Sequence, residues 1–280
     1  MTTGWNTRPP QPGPPAVEHL PELDVPPPGR QRRWTVLLRW LLLLPQFVVT
    51  ALLGIAALLV TIVGWFAALF QGRLPAGIAE FLGGYLAYET RVVSSAMLLV
   101  DRYPPFSFDG QGHPVRIELR PGELNRLAVL FRLVLMIPVV IVTSLLQYGL
   151  GAVCWVFWLI TLVLGRMPLP VFGAVAAVVR FRMRYQAYVM MLTSAYPKHL
   201  FGDGPPVGRA VAPAPTPAPA PAPAAASATR PLLLGTPAKV LVVVILVLGL
   251  GAAGVSQTVQ VRQERWNPST GAATVPIRTS

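Results

Sequence analysis

Residues 39–75 read RWLLLLPQFVVTALLGIAALLVTIVGWFAALFQGRLP, and residues 132–168 read RLVLMIPVVIVTSLLQYGLGAVCWVFWLITLVLGRMP. A shift of 93 residues lays one on the other without a gap. Arg39 meets Arg132, Pro45 meets Pro138, Thr50 meets Thr143 and Trp65 meets Trp158. Each stretch ends in a Gly-Arg-x-Pro turn. The match continues through Arg91 and Arg184 to Tyr103-Pro104 and Tyr196-Pro197. Nineteen of the 66 aligned pairs, 39–104 with 132–197, are identical, against about six expected by chance in a chain this rich in Leu, Val and Ala. The chain therefore contains an internal duplication.

Length sets the next inference. Trp34 to Phe70 as one straight helix would measure roughly 55 Å, well beyond a hydrocarbon core of about 30 Å. The sequence predicts an interfacial or tilted segment over 34–44 with Arg39 snorkelling, a kink at Pro45 and a span over 46–70. No polar turn interrupts the stretch, which argues against two spans there. A second apolar segment covers 76–100 and carries Glu80, Glu89 and Arg91. The pattern returns over 127–164 and 169–193, and 238–256 adds a fifth span.

Composition agrees. Of 280 residues 53% are hydrophobic and 12% charged, with mean hydropathy +0.55, where a soluble domain has about a quarter charged. An ordinary soluble domain is excluded. The net charge of +12 comes from 23 basic residues against 11 acidic. The basic residues flank apolar segments, which points to anionic lipid headgroups and not to nucleic acid. Cys154, the single cysteine, reads as a small buried hydrophobe. Residues 1–33 are polar and Pro-rich without an apolar core, so no signal peptide is expected.

The expected domains are a disordered Pro-rich N-terminus (1–16), repeat 1 (17–107), repeat 2 (108–200), a Pro/Ala-rich linker (201–231), a single transmembrane helix (232–256) and a polar tail (257–280). Residues 19–25 and 113–119 resemble each other with a one-residue slip, and 115–119 alternates as a strand does. The fold class expected is an all-α polytopic membrane protein: two parallel tandem repeats of two spans each plus one C-terminal span, with a small extramembrane β element. Two spans per unit make both units enter from the same side, around an axis along the membrane normal. The duplicated strands would then meet and pair. The Arg bias puts the N-terminus in the cytoplasm, the turns bearing Arg73 and Arg166 outside, and the C-terminus outside in the cell membrane. The fifth span is expected to be dispensable for the core.

The Arg-Trp-Leu-Leu-Leu-Leu-Pro-Gln run at 39–46, the Gly-Arg-x-Pro turns and the Asp-Arg-Tyr-Pro-Pro-Phe-Ser run at 101–107 resemble a family of bacterial membrane proteins. That family is a domain of unknown function, common in actinobacteria and often duplicated. The resemblance covers roughly residues 17–200. It implies a membrane location and carries over no catalytic residue. Unit two departs from it at Ser194-Ala195, where unit one has Asp101-Arg102.

Arg91, Arg180, Arg182 and Arg184 fall inside apolar segments. Such residues contact lipid phosphates, form internal ion pairs or line a polar pathway. Glu89 lies beside Arg91, but residues two apart on a helix do not face each other, and the Arg180–Arg182–Arg184 cluster has no acid among it, which favours lipid. Arg73 and Arg166 read as headgroup contacts in structural turns, with an anion clamp as the alternative. Pro45, Pro138, Trp65 and Trp158 read as structural, the tryptophans as interfacial anchors. The three histidines lack metal-ligand spacing, so neither a metal nor a cofactor is expected. The expected function is a non-enzymatic scaffold or accessory protein of the cell envelope, with anionic-lipid contacts and a possible envelope protein partner. The alternative is a transporter or lipid-handling protein with its pathway between the repeats. A membrane enzyme lacks a convergent acid–base or metal set.

Overall fold

The computed structural model describes residues 20–119, 124–203 and 227–266, with side chains as far as Gly254. The expected disordered N-terminus, most of the linker and the end of the tail lie outside the described residues. In chain order the elements are β1 (Glu22–Asp24), α1 (Arg33–Leu37), α2 (Arg39–Gln71), α3 (Ala76–Ala96), β2 (Arg116–Glu118), α4 (Arg126–Leu164), α5 (Leu169–Val189) and α6 (Thr236–Trp266).

The Gly-Arg-x-Pro motif is a helix stop followed by a helix start. Gly72 (φ 71°) and Gly165 (φ 66°) take the left-handed conformation, and their amides close back on Ala68 O and Thr161 O at 2.8 Å. Glycine reaches that conformation without strain. Pro75 and Pro168 hold the extended backbone that precedes α3 and α5. The break expected at Pro45 falls instead at Leu38 (φ −92°, ψ 8°), and α2 runs through the proline. Pro45 and Pro138 both lie on the exposed side of their helices, where the backbone can open outward to absorb a missing hydrogen bond.

The expected strands pair. β1 and β2 are antiparallel with Leu23 opposite Ile117, so equivalent residues of the two units face each other. The same pseudo-twofold governs the helices. Gln31 N donates to Gly165 O at 2.9 Å, and Leu124 N donates to Gly72 O at 3.0 Å. Trp158 Nε1 donates to Val36 O at 2.8 Å, and Trp65 Nε1 to Val129 O at 3.2 Å. Each bond is its counterpart moved by 93 residues. The start of each unit thus touches the turn of the other.

This corrects the expected topology. Arg30 and Arg166, expected on opposite sides of a bilayer, form a β-bridge. Trp65 and Trp158 clamp the units together, with their indole N–H groups spent on backbone carbonyls. The number of candidate spans also differs. Among the described residues three helices are long and apolar enough to cross a membrane: α2, α4 and α6 over 236–254. α3 and α5 are not, because Glu80, Glu89 and Arg91 interrupt one and Arg180, Arg182 and Arg184 the other. They form the buried middle of the molecule, holding Leu82, Leu86, Phe172 and Val175–Val179 in the core. α2 and α4 lie outside them and expose Leu52, Ile55, Leu58, Leu133, Val134 and Ile141.

α6 belongs to this core, which reverses the expectation that it is dispensable. Val242 and Ile245 are fully buried. The segment before α6 docks on the sheet: Thr229 Oγ1 accepts from Val25 N at 2.9 Å and donates to Leu23 O at 2.6 Å. Arg230 reaches Glu22 at 3.3 Å and Glu118 at 3.0 Å.

Candidate functional site

The charged residues of the middle layer are the part of the fold that simple packing does not explain. A buried guanidinium is costly unless its donors are matched, and here they are matched mainly by backbone carbonyls. In unit one Arg39, 4% exposed, binds the Asp101 carboxylate at 2.8 Å and the Asp101 carbonyl at 3.2 Å. Thr35 donates to the same carboxylate at 2.7 Å. Unit two lacks that acid. Arg132 instead donates to Tyr188 O at 2.8 Å and Thr193 O at 2.9 Å, and lies 4.1 Å from the centre of the Tyr188 ring. Cation–π contact replaces the carboxylate.

At the pseudo-twofold axis Glu89 of α3 meets its own 93-residue counterpart, Arg182 of α5, at 2.5 Å. Its second oxygen accepts from Gln186 at 2.6 Å. Arg180, buried to 2% exposure, pairs with Asp203 at 2.6 Å and donates to His199 O at 3.1 Å. Arg184 donates to Pro21 O at 3.0 Å and Lys198 O at 3.1 Å, with Asp203 at 3.8 Å. Burial alone would raise the Asp203 carboxyl, but Arg180, the Leu232 amide and Arg184 together hold it below its usual value. Arg91 donates to Ser107 O at 2.6 Å and Phe108 O at 2.9 Å.

Arg91, Arg180 and Arg184 therefore face protein, and the lipid-facing belt expected of Arg180, Arg182 and Arg184 does not match this placement. Only Arg182 is part-exposed. Arg73 and Arg166 are exposed and lie at opposite ends of the molecule: Arg166 beside Arg30, and Arg73 in the turn that packs on Leu124 and Arg126. Sequence reasoning missed Glu89 and Asp203 as partners, because each sits far along the chain from the arginine it serves.

The Domain of unknown function (DUF4389) family model matches residues 33–107 and 126–200, two copies that together cover more than half of the chain. The chain belongs to this family. The two DUF4389 copies start 93 residues apart, the register of the duplication and of the pseudo-twofold. No curated protein and no solved structure matches the chain. The β1–β2 pair and α6 lie outside both DUF4389 copies, yet they pack on the layer those copies build.

One titratable group of the DUF4389 layer's cover gives a pH prediction. His113 is 1% exposed, and its Nδ1 accepts from Val115 N at 3.2 Å. Burial lowers its pKa from 6.5 to about 4, opposed by backbone hydrogen bonds and aided by Arg91 and Arg102. The folded value is depressed, so stability is complete above pH 6.5 and falls as the pH drops toward 4. The loss totals about 3 kcal/mol. Thermal melting between pH 7 and 5 should show this decline in the parent chain and a flatter profile in His113→Gln. Identical profiles would contradict it.

Proposed function

We propose that the protein is a non-catalytic membrane platform, a scaffold or accessory protein of the cell envelope. α2, α4 and α6 form an apolar floor within the bilayer, and the β1–β2 pair faces water. The exchange between starts and turns carries this reading. If α2 and α4 crossed the bilayer, the contacts of Gln31 with Gly165 and Leu124 with Gly72 would make them antiparallel around an axis in the membrane plane. That axis passes by Leu23–Ile117 and Glu89–Arg182. The sheet, with Glu22, Arg116 and Glu118, would then sit at mid-depth. Open sheet edges and charges of this kind are not tolerated against hydrocarbon. With the axis along the membrane normal, starts and turns share one depth. α2 and α4 then lie along the membrane, their exposed leucines, isoleucines and valines against acyl chains, and the sheet is in water.

In this placement Arg30, Arg33 and Arg166 gather at one end of the floor, and Arg73 and Arg126 at the other. Both groups are at headgroup height, suited to anionic lipid. A scaffold is favoured over a carrier because the cavity between the units among Trp40, Leu150, Phe157 and Trp158 has about 20 Å³, room for one water.

Sidedness tests the proposal. In a background with Cys154→Ser, single cysteines replacing Gln71, Leu169 and Gln111 should all react with an impermeant thiol reagent from the same side of sealed cells or inverted vesicles. Labelling of Gln71 and Leu169 from opposite sides would show that α2 and α4 cross the bilayer and would overturn the proposal.

A further inference from the structure

The two units treat one arginine differently. Arg184 of unit two donates from Nε to Pro21 O and from Nη1 to Lys198 O, and its Nη2 lies 3.8 Å from the Asp203 carboxylate. Its counterpart Arg91, 4% exposed, spends only Nη2, on the Ser107 and Phe108 carbonyls. The Arg91 Nε is buried without a partner. In unit one a glycine, Gly110, takes up the space beside this arginine. That glycine is set against the guanidinium, since a Cβ built on it would lie 1.3 Å from Arg91 Nη1. Next to it a cavity of about 440 Å³ opens between α3 and the 108–117 loop, lined by Arg91, Phe108, Gly110, Gly112, Val115 and Arg116 among others. Asp109 is exposed at its edge and comes no closer than through-space attraction to Arg91.

We infer that this cavity is an anion site in which a phosphate group supplies a negative charge that unit one does not set within hydrogen-bonding reach of Arg91. Arg91 lines the floor with Nη1 outside its two hydrogen bonds, and Arg116 stands at the exposed side. A forked guanidinium is suited to a tetrahedral oxyanion. The volume is that of a small-molecule site and not of a lone ion, and Phe108 and Val115 offer an apolar wall to whatever carries the phosphate. The carrier is either a soluble phosphate ester or a lipid headgroup. The inference does not depend on how the helices lie in the bilayer.

The test uses the full chain in neutral detergent micelles, titrated by calorimetry first with inorganic phosphate and then with short-chain phosphatidic acid. Saturable binding of one equivalent is expected with at least one of them. Binding of inorganic phosphate marks a soluble source, and binding of phosphatidic acid alone marks a headgroup. Arg116→Gln, on the exposed side, should weaken binding roughly tenfold, the scale of one charge-assisted bond. Arg116→Gln should also melt within a few degrees of the parent. Arg91→Gln should abolish binding, but it also removes two bonds to the loop, so Arg116→Gln decides. Absence of saturable binding with both probes, or equal binding by the parent and Arg116→Gln, would overturn the inference.

Discussion

Gly149→Ala and Gly249→Ala are each expected to detach α6 from the molecule. A Cβ on Gly149 would lie 1.7 Å from Ile245 O, and one on Gly249 would lie 2.0 Å from Leu145 O. These are backbone atoms on facing helices, so no rotamer relieves the clash. Small residues at such a crossing let two apolar helices approach closely, and close approach is what holds helices together where lipid competes for the same apolar surface. The methyl group forces the axes apart, and Val242 and Ile245 lose their contacts. The cost is put at about 3 kcal/mol or more, the upper range for overpacking. Gly151→Ala and Gly251→Ala are the controls. Nothing lies within 4 Å of either added Cβ, and Ala is favoured over Gly in a helix by about 1 kcal/mol. Protease cutting before α6 and thermal melting in detergent should separate the two pairs of variants. If Gly149→Ala melts like Gly151→Ala, α6 does not sit on α4 as described.

Glu89→Leu is expected to cost about 3 kcal/mol, at the low end for breaking a buried pair because Arg182 is part-exposed. It strands the guanidinium of Arg182 and the amide of Gln186 in the seam between α3 and α5. The double variant Glu89→Leu, Arg182→Leu should recover most of that loss, since an apolar pair of similar volume needs no desolvation. A double-mutant cycle read by denaturant unfolding in mixed micelles measures the coupling. Additive losses would mean that the two side chains do not meet at the axis.

The backbone punctuation was legible in the sequence. The glycines at 72 and 165 close their helices, the prolines at 75 and 168 start the next ones, and the strands around Leu23 and Ile117 pair as their resemblance implied. The relative direction of the two units was not legible, because a 93-residue repeat is equally compatible with parallel and exchanged packing. The decision rests on four bonds from Gln31, Leu124, Trp65 and Trp158 to distant backbone carbonyls. Nor could the sequence say that Arg91, Arg180 and Arg184 turn inward. Their acceptors are carbonyls of Ser107, Phe108, His199, Lys198 and Pro21, and any residue type can supply a carbonyl. The Arg count suggested lipid because Asp203 lies at the edge of the linker and Glu89 in the other unit. α6 looked detachable because a long Pro/Ala tract precedes it, but Thr229, Arg230 and Leu232 bring the chain back onto the sheet and Asp203.

The central claim is that α2 and α4 lie along the membrane, and depth along α2 tests it most directly. Leu44, Ile55 and Phe66 are exposed at 53%, 62% and 51%. They are spaced by eleven residues, so they point to nearly the same side of the helix while covering about 33 Å of its length. Nitroxide labels at these three positions, in the full chain reconstituted in bilayers, report depth through their accessibility to oxygen and to a polar relaxant. Equal depth within the hydrocarbon at all three is the expected result. A gradient that places Ile55 deep and Leu44 and Phe66 near opposite headgroup layers would show α2 to be a transmembrane span and contradict the claim.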